Sequence, residues 1–243
     1  TSGTTSEGIN LKDRSARTCV RYNWIEGGVR QVNLVESYDY QSIRDYPGYG
    51  TEDRVYGNVL IMNANSQGNE HFLYGGDMGS AYEQYYRTGP LKSYNNTVIS
   101  KRTDNTRLVR LKTTAQSADF FNNIWHVPAG TAYVLSSAIG TCSTSHNWFQ
   151  SGYYLTGATE DGTNISGAAP GFVDYANADF HITSSSTCRD AGMAIPSGLL
   201  PTYDVTKQYV KHQTFETRPN DGSIDIGAFE YNAGPQPLNI TTT

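Results

Sequence analysis

One phrase recurs five times along the chain: VRYNWIE (20–26), VYGNVLIM (55–62), SYNNTVIS (93–100), FFNNIWHV (120–127) and TSHNWFQS (144–151). Each places an asparagine directly before two or three apolar or β-branched residues. The asparagines are Asn23, Asn58, Asn96, Asn123 and Asn147, spaced 35, 38, 27 and 24 residues apart. Asparagine is a poor strand former because its amide competes for backbone partners. Its return at the same place in otherwise strand-forming text therefore needs a structural reason.

A second apolar segment follows most copies: QVNLVE (31–36), HFLYGG (71–76), LVRLKT (108–113) and AYVLSS (132–137). The repeating unit reads as two short strands, with the variable spacing in the connections. No sustained helical stripe of apolar residues is present, and the gaps are too rich in Gly, Asn, Ser, Thr and Tyr for crossover helices. Repeats of short strands without helices predict a β-solenoid, whose coils stack as parallel strands about 4.8 Å apart. Equivalent residues then lie above one another. An asparagine at a bend can donate to the next and accept from the last, forming a ladder of Asn23, Asn58, Asn96, Asn123 and Asn147. In SYNNTVIS, Val98 and Ile99 are expected to fill the core, one Asn to hold the bend and the other to face out.

VRYNWIEGG, VYGNVLI, SYNNTVIS and FFNNIW resemble coils of right-handed parallel β-helix proteins of the pectate-lyase-like superfamily. Residues 8–36 look like a coil pair from large secreted bacterial β-helix proteins, and 170–192 and 218–231 look like their closing segments. The resemblance implies an all-β, right-handed parallel β-helix, secreted or at the cell surface. It divides the chain into coils (1–192), an irregular C-terminal cap (193–231) and an extended tail (232–243). Within the cap, 193–217 breaks the repeat and DIGAFEY (225–231) reads as a final strand. The opening TSGTTSEGIN has neither Met nor a signal pattern, which reads as a processed chain or the C-terminal part of a longer β-helix. Upstream coils, or self-association through the N-terminal end, are the partners this implies.

β-Helix proteins of this kind often act on acidic polysaccharides. The lyase reaction needs a base, a cation beside the uronate carboxylate and a long groove. Lys12, Arg14, Arg17, Arg21 and Arg30 form the densest basic cluster, with Glu36 nearby. Lys12 and Arg14 share strand parity, and Arg30 comes one turn later. The cluster loosely resembles the Lys and Arg pair on neighbouring coils of alginate- and chondroitin-cleaving lyases, which makes Lys12, Arg14 and Arg30 the candidate catalytic residues. The competing reading is a solvated face of ion pairs, such as Lys12 with Asp13 and Arg30 with Glu36. Two tyrosine-rich insertions, 36–50 and 78–89, leave the repeat at matching points. They supply Tyr38, Tyr40, Arg44, Tyr46, Tyr82, Tyr85 and Arg87 as candidate sugar contacts.

Other signals are weaker. The formal charge of -5 gives no general attraction to nucleic acid, and no apolar run is long enough for a transmembrane helix. Cys19, Cys142 and Cys188 have no metal-binding spacing. They read as buried thiols, with a Cys142–Cys188 bridge as the alternative in an extracellular protein. Asn95, Asn164 and Asn239 open glycosylation sequons. The five histidines, His71, His126, His146, His181 and His212, read as structural. Asp190, Asp221, Asp225 and Glu230 contain part of a calcium-loop pattern but not its full spacing, so no cofactor is expected beyond a candidate calcium ion. The function expected is recognition of an acidic polysaccharide, with lyase-type cleavage open. The alternatives are a non-catalytic structural or adhesive module, or a fragment whose active-site coils lie upstream.

Overall fold

A computed structural model describes residues 8–232. The chain winds as a right-handed parallel β-helix with three sheets. Sheet 1 contains Leu11–Asp13, Val32–Leu34, Glu70–Tyr74, Asn105–Leu111 and Thr131–Leu135. Sheet 2 contains Cys19–Arg21, Asp53–Tyr56, Pro90–Tyr94, Ser117–Phe121, Thr141–Ser145 and Thr159–Glu160. Sheet 3 contains Trp24–Glu26, Val59–Met62, Thr97–Ser100, Ile124–His126, Trp148–Gln150 and Ile165–Gly167. The recurring phrase spans the corner between sheets 2 and 3, and each complete coil has three strands rather than two.

The corner explains the doublet asparagines. Each ladder residue donates its backbone N–H and its Nδ2–H to the Oδ1 of the next, at 2.9–3.0 Å, from Asn23 through Asn58, Asn96 and Asn123 to Asn147. The ladder continues to Asn164, which accepts both bonds from Asn147 at 3.0 Å. The residue before each of the first five turns the chain through the left-handed region: Tyr22, Gly57, Asn95, Asn122 and His146 have φ of 57°, 66°, 47°, 55° and 50°. Asparagine tolerates that conformation better than most residues. In NN, the first amide takes the strained turn and the second joins the ladder. In the sequence Asn164 stands out only as a sequon, because Thr163 before it breaks the phrase.

Strand alternation sorts side chains to two sides of the wall. Inside, Val55, Leu60, Phe72, Leu91, Val98, Phe120, Trp125 and Phe149 belong to one continuous core. Outside sheet 3 stand Val59, Ile61, Ile99, Ile124 and Trp148. Ile99 therefore does not share the core layer with Val98; it faces the other way.

What covers that outer row is the C-terminal segment. Parallel pairing ends at Gly167, so the covering segment begins well before residue 193. An antiparallel hairpin, Phe172–Asp174 with Asp179–Ile182, brings Phe172, Phe180 and Ile182 onto sheet 3. Phe180 stacks on Trp24 at 5.5 Å. Farther on, Tyr22, Tyr56, Tyr94 and Phe121 line the outside of the sheet 2–3 corner, with Tyr56–Tyr94 and Tyr94–Phe121 stacked at 4.7 and 4.8 Å under Ile195 and Leu199. Residues 225–231 do not form a strand. They run as buried irregular chain, with Gly227 N–H donating to Asn122 O and Ala228 N–H to Thr97 Oγ1. The stretch 193–217 is not wholly irregular, since Lys207–Val210 and Thr214–Thr217 pair as a hairpin. The outward amides hold this cover: Asn95 donates to Asp225 O at 3.0 Å, and Asn122 exchanges hydrogen bonds with Met193 at 2.8 Å. The expected end cap is thus a lateral strap.

The strap settles several smaller points. Asn95 is fully buried, which removes it as a glycosylation acceptor in the folded chain, and Asn239 lies outside the described residues. All three thiols are free. Cys142 lies in the inner core and Cys188 under the strap, so the wall separates them; burial pushes both up to about 12. Cys19 is exposed rather than buried. Asp225 accepts from the N–H of Asp190 and Tyr231, and Glu230 accepts from Asp225 N–H and Arg218 Nε. Asp221 accepts from Ser223 N–H in its own turn. Among the described residues these carboxylates do not converge on a cation site.

Candidate functional site: the outer face of sheet 1

Among the described residues, no strap covers sheet 1. Its inner row, Leu11, Val32, Phe72, Val109 and Leu135, enters the core, so the alternate residues Lys12, Asn33, Leu73 and Arg110 point outward in register. A second outer row runs through Glu70, Arg107 and Tyr133. Arg14 and Lys112 lie just beyond their strands. Across four coils, Lys12, Arg14, Arg30, Arg107, Arg110 and Lys112 face Glu36, Glu70 and Asp77, an excess of three positive charges on a chain whose total is -5.

The carboxylates split this face into two clusters. At one end Lys12 Nζ meets Asp77 at 2.5 Å. Arg14 reaches Asp77 at 3.8 Å, Glu36 Oε1 at 3.4 Å and Glu36 O at 2.6 Å. At the other end Arg30 and Arg110 each reach Glu70 at 3.2 Å. Lys12 and Arg14 are therefore together, and Arg30 stands apart from them. Ion pairs exist as the alternative reading held, but Lys12 pairs with Asp77 rather than Asp13, and Arg30 with Glu70 rather than Glu36. Arg17 pairs with Glu52, and Arg21 donates to Tyr56 Oη, both off this face.

Among the described residues, Arg107 and Lys112 have no ion-pair partner. Burial, reinforced by Arg110 and Arg30, holds the Lys112 ammonium below its ordinary pKa. Asn33 is fully buried, between Lys12 and Leu73 in register, and neither its Oδ1 nor its Nδ2 has a hydrogen-bond partner among the described residues. The face ends in an aromatic pair, with Tyr133 and half-exposed Tyr154 stacked at 5.1 Å.

The tyrosine insertions stand at the sheet 1–2 corner of successive coils, as their matching positions implied. They pack mainly on each other. Tyr38 sits edge-on to Tyr82 and Tyr85 at 4.9 and 5.3 Å. Arg44 donates to Ser37 O and Tyr38 O and lies over the Tyr85 ring, so its guanidinium closes its own loop. Arg87 is not a surface contact. It is fully buried, paired with Asp53 at 2.7 Å and Asp13 at 3.4 Å, and it joins three backbone oxygens across the corner. Burial opposes ionisation of Asp13, but the Thr18 and Ser15 hydroxyls and Arg87 outweigh it and lower its pKa. Tyr40 and Tyr46 are the insertion tyrosines most open to solvent.

Arg107, Arg110 and Lys112 were missed because strict alternation fails in their strand. Leu108 and Val109 both enter the core, so the in–out alternation slips by one and carries Arg107 and Arg110 to the same side, while the pairing with both neighbouring strands keeps its register. The signal available was the cationic spacing in TRLVRLKT. Compared with protein-family models, with curated proteins and with solved structures, the chain matches none.

Proposed function

We propose that this protein is a secreted or cell-surface carbohydrate-binding β-helix of the pectate-lyase-like kind, and that an acidic polysaccharide lies across the outer face of sheet 1. The excess of cations along successive coils carries this reading. A polymer with one carboxylate per unit meets cations from several rungs, and Tyr133 and Tyr154 offer a ring face at the end. The field is local, so a net charge of -5 does not forbid it at ordinary ionic strength.

The test is retention on immobilised alginate, pectate and chondroitin sulfate, with single-stranded DNA as the competing polyanion. Arg107→Glu and Arg110→Glu together should abolish retention, and raised salt should weaken it. Equal retention of wild type and variant, or tighter binding to DNA than to any polysaccharide, would overturn the reading.

Cleavage is a second reading, favoured by Lys112: an amine held below its ordinary pKa beside Arg107 and Arg110 has the character of a base next to carboxylate-neutralising cations. Unsaturated uronate products that vanish in Lys112→Met but persist in Lys12→Ala would establish it. Absence of product from all three polymers leaves the binding module.

A further inference from the structure

Among the described residues the coil has two free ends. It starts with Leu11–Asp13, Cys19–Arg21 and Trp24–Glu26, each paired on one side only, and it stops at Tyr154, Thr159–Glu160 and Ile165–Gly167. Core residues stay partly open at both ends: Leu11 and Ile25 at the first, Tyr153 and Leu155 at the last. A strand with one unpaired side is a template for another strand. Each end presents one such edge per sheet.

The asparagine ladder makes the two ends complementary. Every internal ladder asparagine accepts on Oδ1 from the coil before it and donates to the Oδ1 of the coil after it. Among the described residues, Asn23 Oδ1 accepts no hydrogen bond and Asn164 N–H has no acceptor. A second series runs beside the first. The N–H that follows each ladder asparagine donates to the C=O of the asparagine one coil earlier, at 2.7–2.9 Å, from Val59 onto Asn23 to Ile165 onto Asn147. Its terminal members are Trp24 N–H and Asn164 O. Charge follows the same division. In residues 8–26, Lys12, Arg14, Arg17 and Arg21 outnumber Asp13 and Glu26 by two, whereas Glu160 and Asp161 are the only charged residues of 151–167. Arg21 and Asp161 also share one column of sheet 2. Pairing runs from Arg21 through Tyr56, Tyr94 and Phe121 to Ser145, and Asp161 is next in line.

We propose that these two ends are a self-association site: the last coil of one copy docks head to tail on the first coil of a second copy, and the sheets run on across the junction. Asn164 N–H then donates to Asn23 Oδ1 of the next copy, Asn164 O accepts from its Trp24 N–H, and Asp161 faces its Arg21. The two surfaces differ, so a straight stack does not close on itself and further copies can add. One residue works against the junction. Glu160 stands in the same inward column as Val20 and accepts from Tyr153 Oη at 2.6 Å and Asn164 Nδ2 at 3.1 Å. It ends the side-chain ladder and sets a charge where Val20 of the next copy would pack. An inward-pointing charge on an edge is a brake on such pairing, which makes the association reversible and dependent on concentration. The inference does not rest on the binding proposed for sheet 1.

The experiment is sedimentation velocity of the full chain over a wide range of protein concentrations. The samples are wild type, Arg21→Asp, Asp161→Arg, an equimolar mixture of those two variants, and Glu160→Val. All three side chains are exposed, so the variants keep the fold; circular dichroism checks this. Wild type should form dimers and then longer species as concentration rises, with no plateau at the dimer. Each charge reversal sets like charges against each other at every junction and should weaken association by about tenfold or more. In the mixture the two variants can alternate, and every junction then pairs Asp with Arg again. Association should return to within about threefold of wild type. Glu160→Val should tighten it by about tenfold. A wild type that stays monomeric at every concentration, or that stops at a dimer, would overturn the head-to-tail contact. So would association that survives both charge reversals, a mixture that associates no better than its components, or a Glu160→Val that associates no better than wild type.

Discussion

Sheets 1 and 3 are built on the same ladder of parallel hydrogen bonds, yet their outer faces are opposites. Outside sheet 3 stand Val59, Ile61, Ile99, Ile124 and Trp148, and the strap buries them under Phe172, Phe180, Ile182, Ile226, Ala228 and Phe229. Outside sheet 1 stand Lys12, Arg110, Glu70 and Arg107, and among the described residues no strap crosses them. A parallel strand can be apolar on both sides because both sides are covered. The inner residues fix the coil; the outer ones decide whether a face is structural or available to a ligand.

The sharpest way to break the comparison is to remove the cover's anchor. Phe229 packs on Val59, Ile61 and Ile99, with the His181 ring 4.3 Å away. Phe229→Ala should cost about 3–5 kcal/mol. Denaturant midpoints measure it, and a hydrophobic dye should report newly accessible surface. If stability changes no more than in Arg110→Glu, whose expected effect is within about 0.5 kcal/mol, the strap is not a structural cover.

Acid should act at the wall itself. His71 is fully buried edge-on to Trp125, with neither ring nitrogen bonded, and burial lowers its pKa to about 3. His126 lies under the strap between Trp148, Phe172 and Tyr175, and burial lowers its pKa to about 4. Both are neutral when folded, whereas the unfolded chain takes up protons below about pH 6.5. Stability is therefore fully present above that pH and is lost as pH falls toward the folded values. At pH 5 the loss is about 2 kcal/mol for each histidine. His126→Phe should flatten part of this acid limb. An unchanged limb would mean that the strap admits solvent to the ring.

The ladder belongs to neither face, and Asn96→Ala tests what both depend on. It would strip the Oδ1 acceptor from Asn58 and the donor to Val55 O and Asn123 Oδ1. The expected cost is about 1–3 kcal/mol, and amide exchange should speed up at Asn58 and Asn23. Loss confined to Asn96 itself would show that the rungs do not cooperate.

These differences also mark what could be read beforehand. The coil was legible because a corner asparagine must meet its own kind at every turn, and five copies of one phrase record that. The tyrosine loops were placed correctly because insertions at a fixed point of a repeat must leave the same corner. The strap was not legible as a strap: Ile99 and Val98 look alike, and nothing in TVIS says which one faces in. Arg87 looked like a surface contact because its partners, Asp13 and Asp53, are brought to it only by the winding of the coil. Arg107 and Arg110 were hidden by the doubled inward step at Leu108 and Val109.

The smallest expected effect concerns Asn33, which with its register neighbour Leu73 forms the buried stretch of sheet 1's outer row. It is fully buried between Lys12 and Leu73 in register, and both amide atoms lack partners. A buried amide without hydrogen bonds costs more than an apolar side chain of similar shape in the same place. Valine suits a strand and would pack on Leu73. Asn33→Val should therefore raise stability by about 1 kcal/mol, or a few degrees in Tm, without weakening retention on acidic polysaccharides, since the amide is covered. A gain in stability would show that the open face is built by the same rule as the covered one, with long cations serving as its lid. A loss of stability would show that the amide is bonded in solution, and a loss of retention that it belongs to the binding face itself.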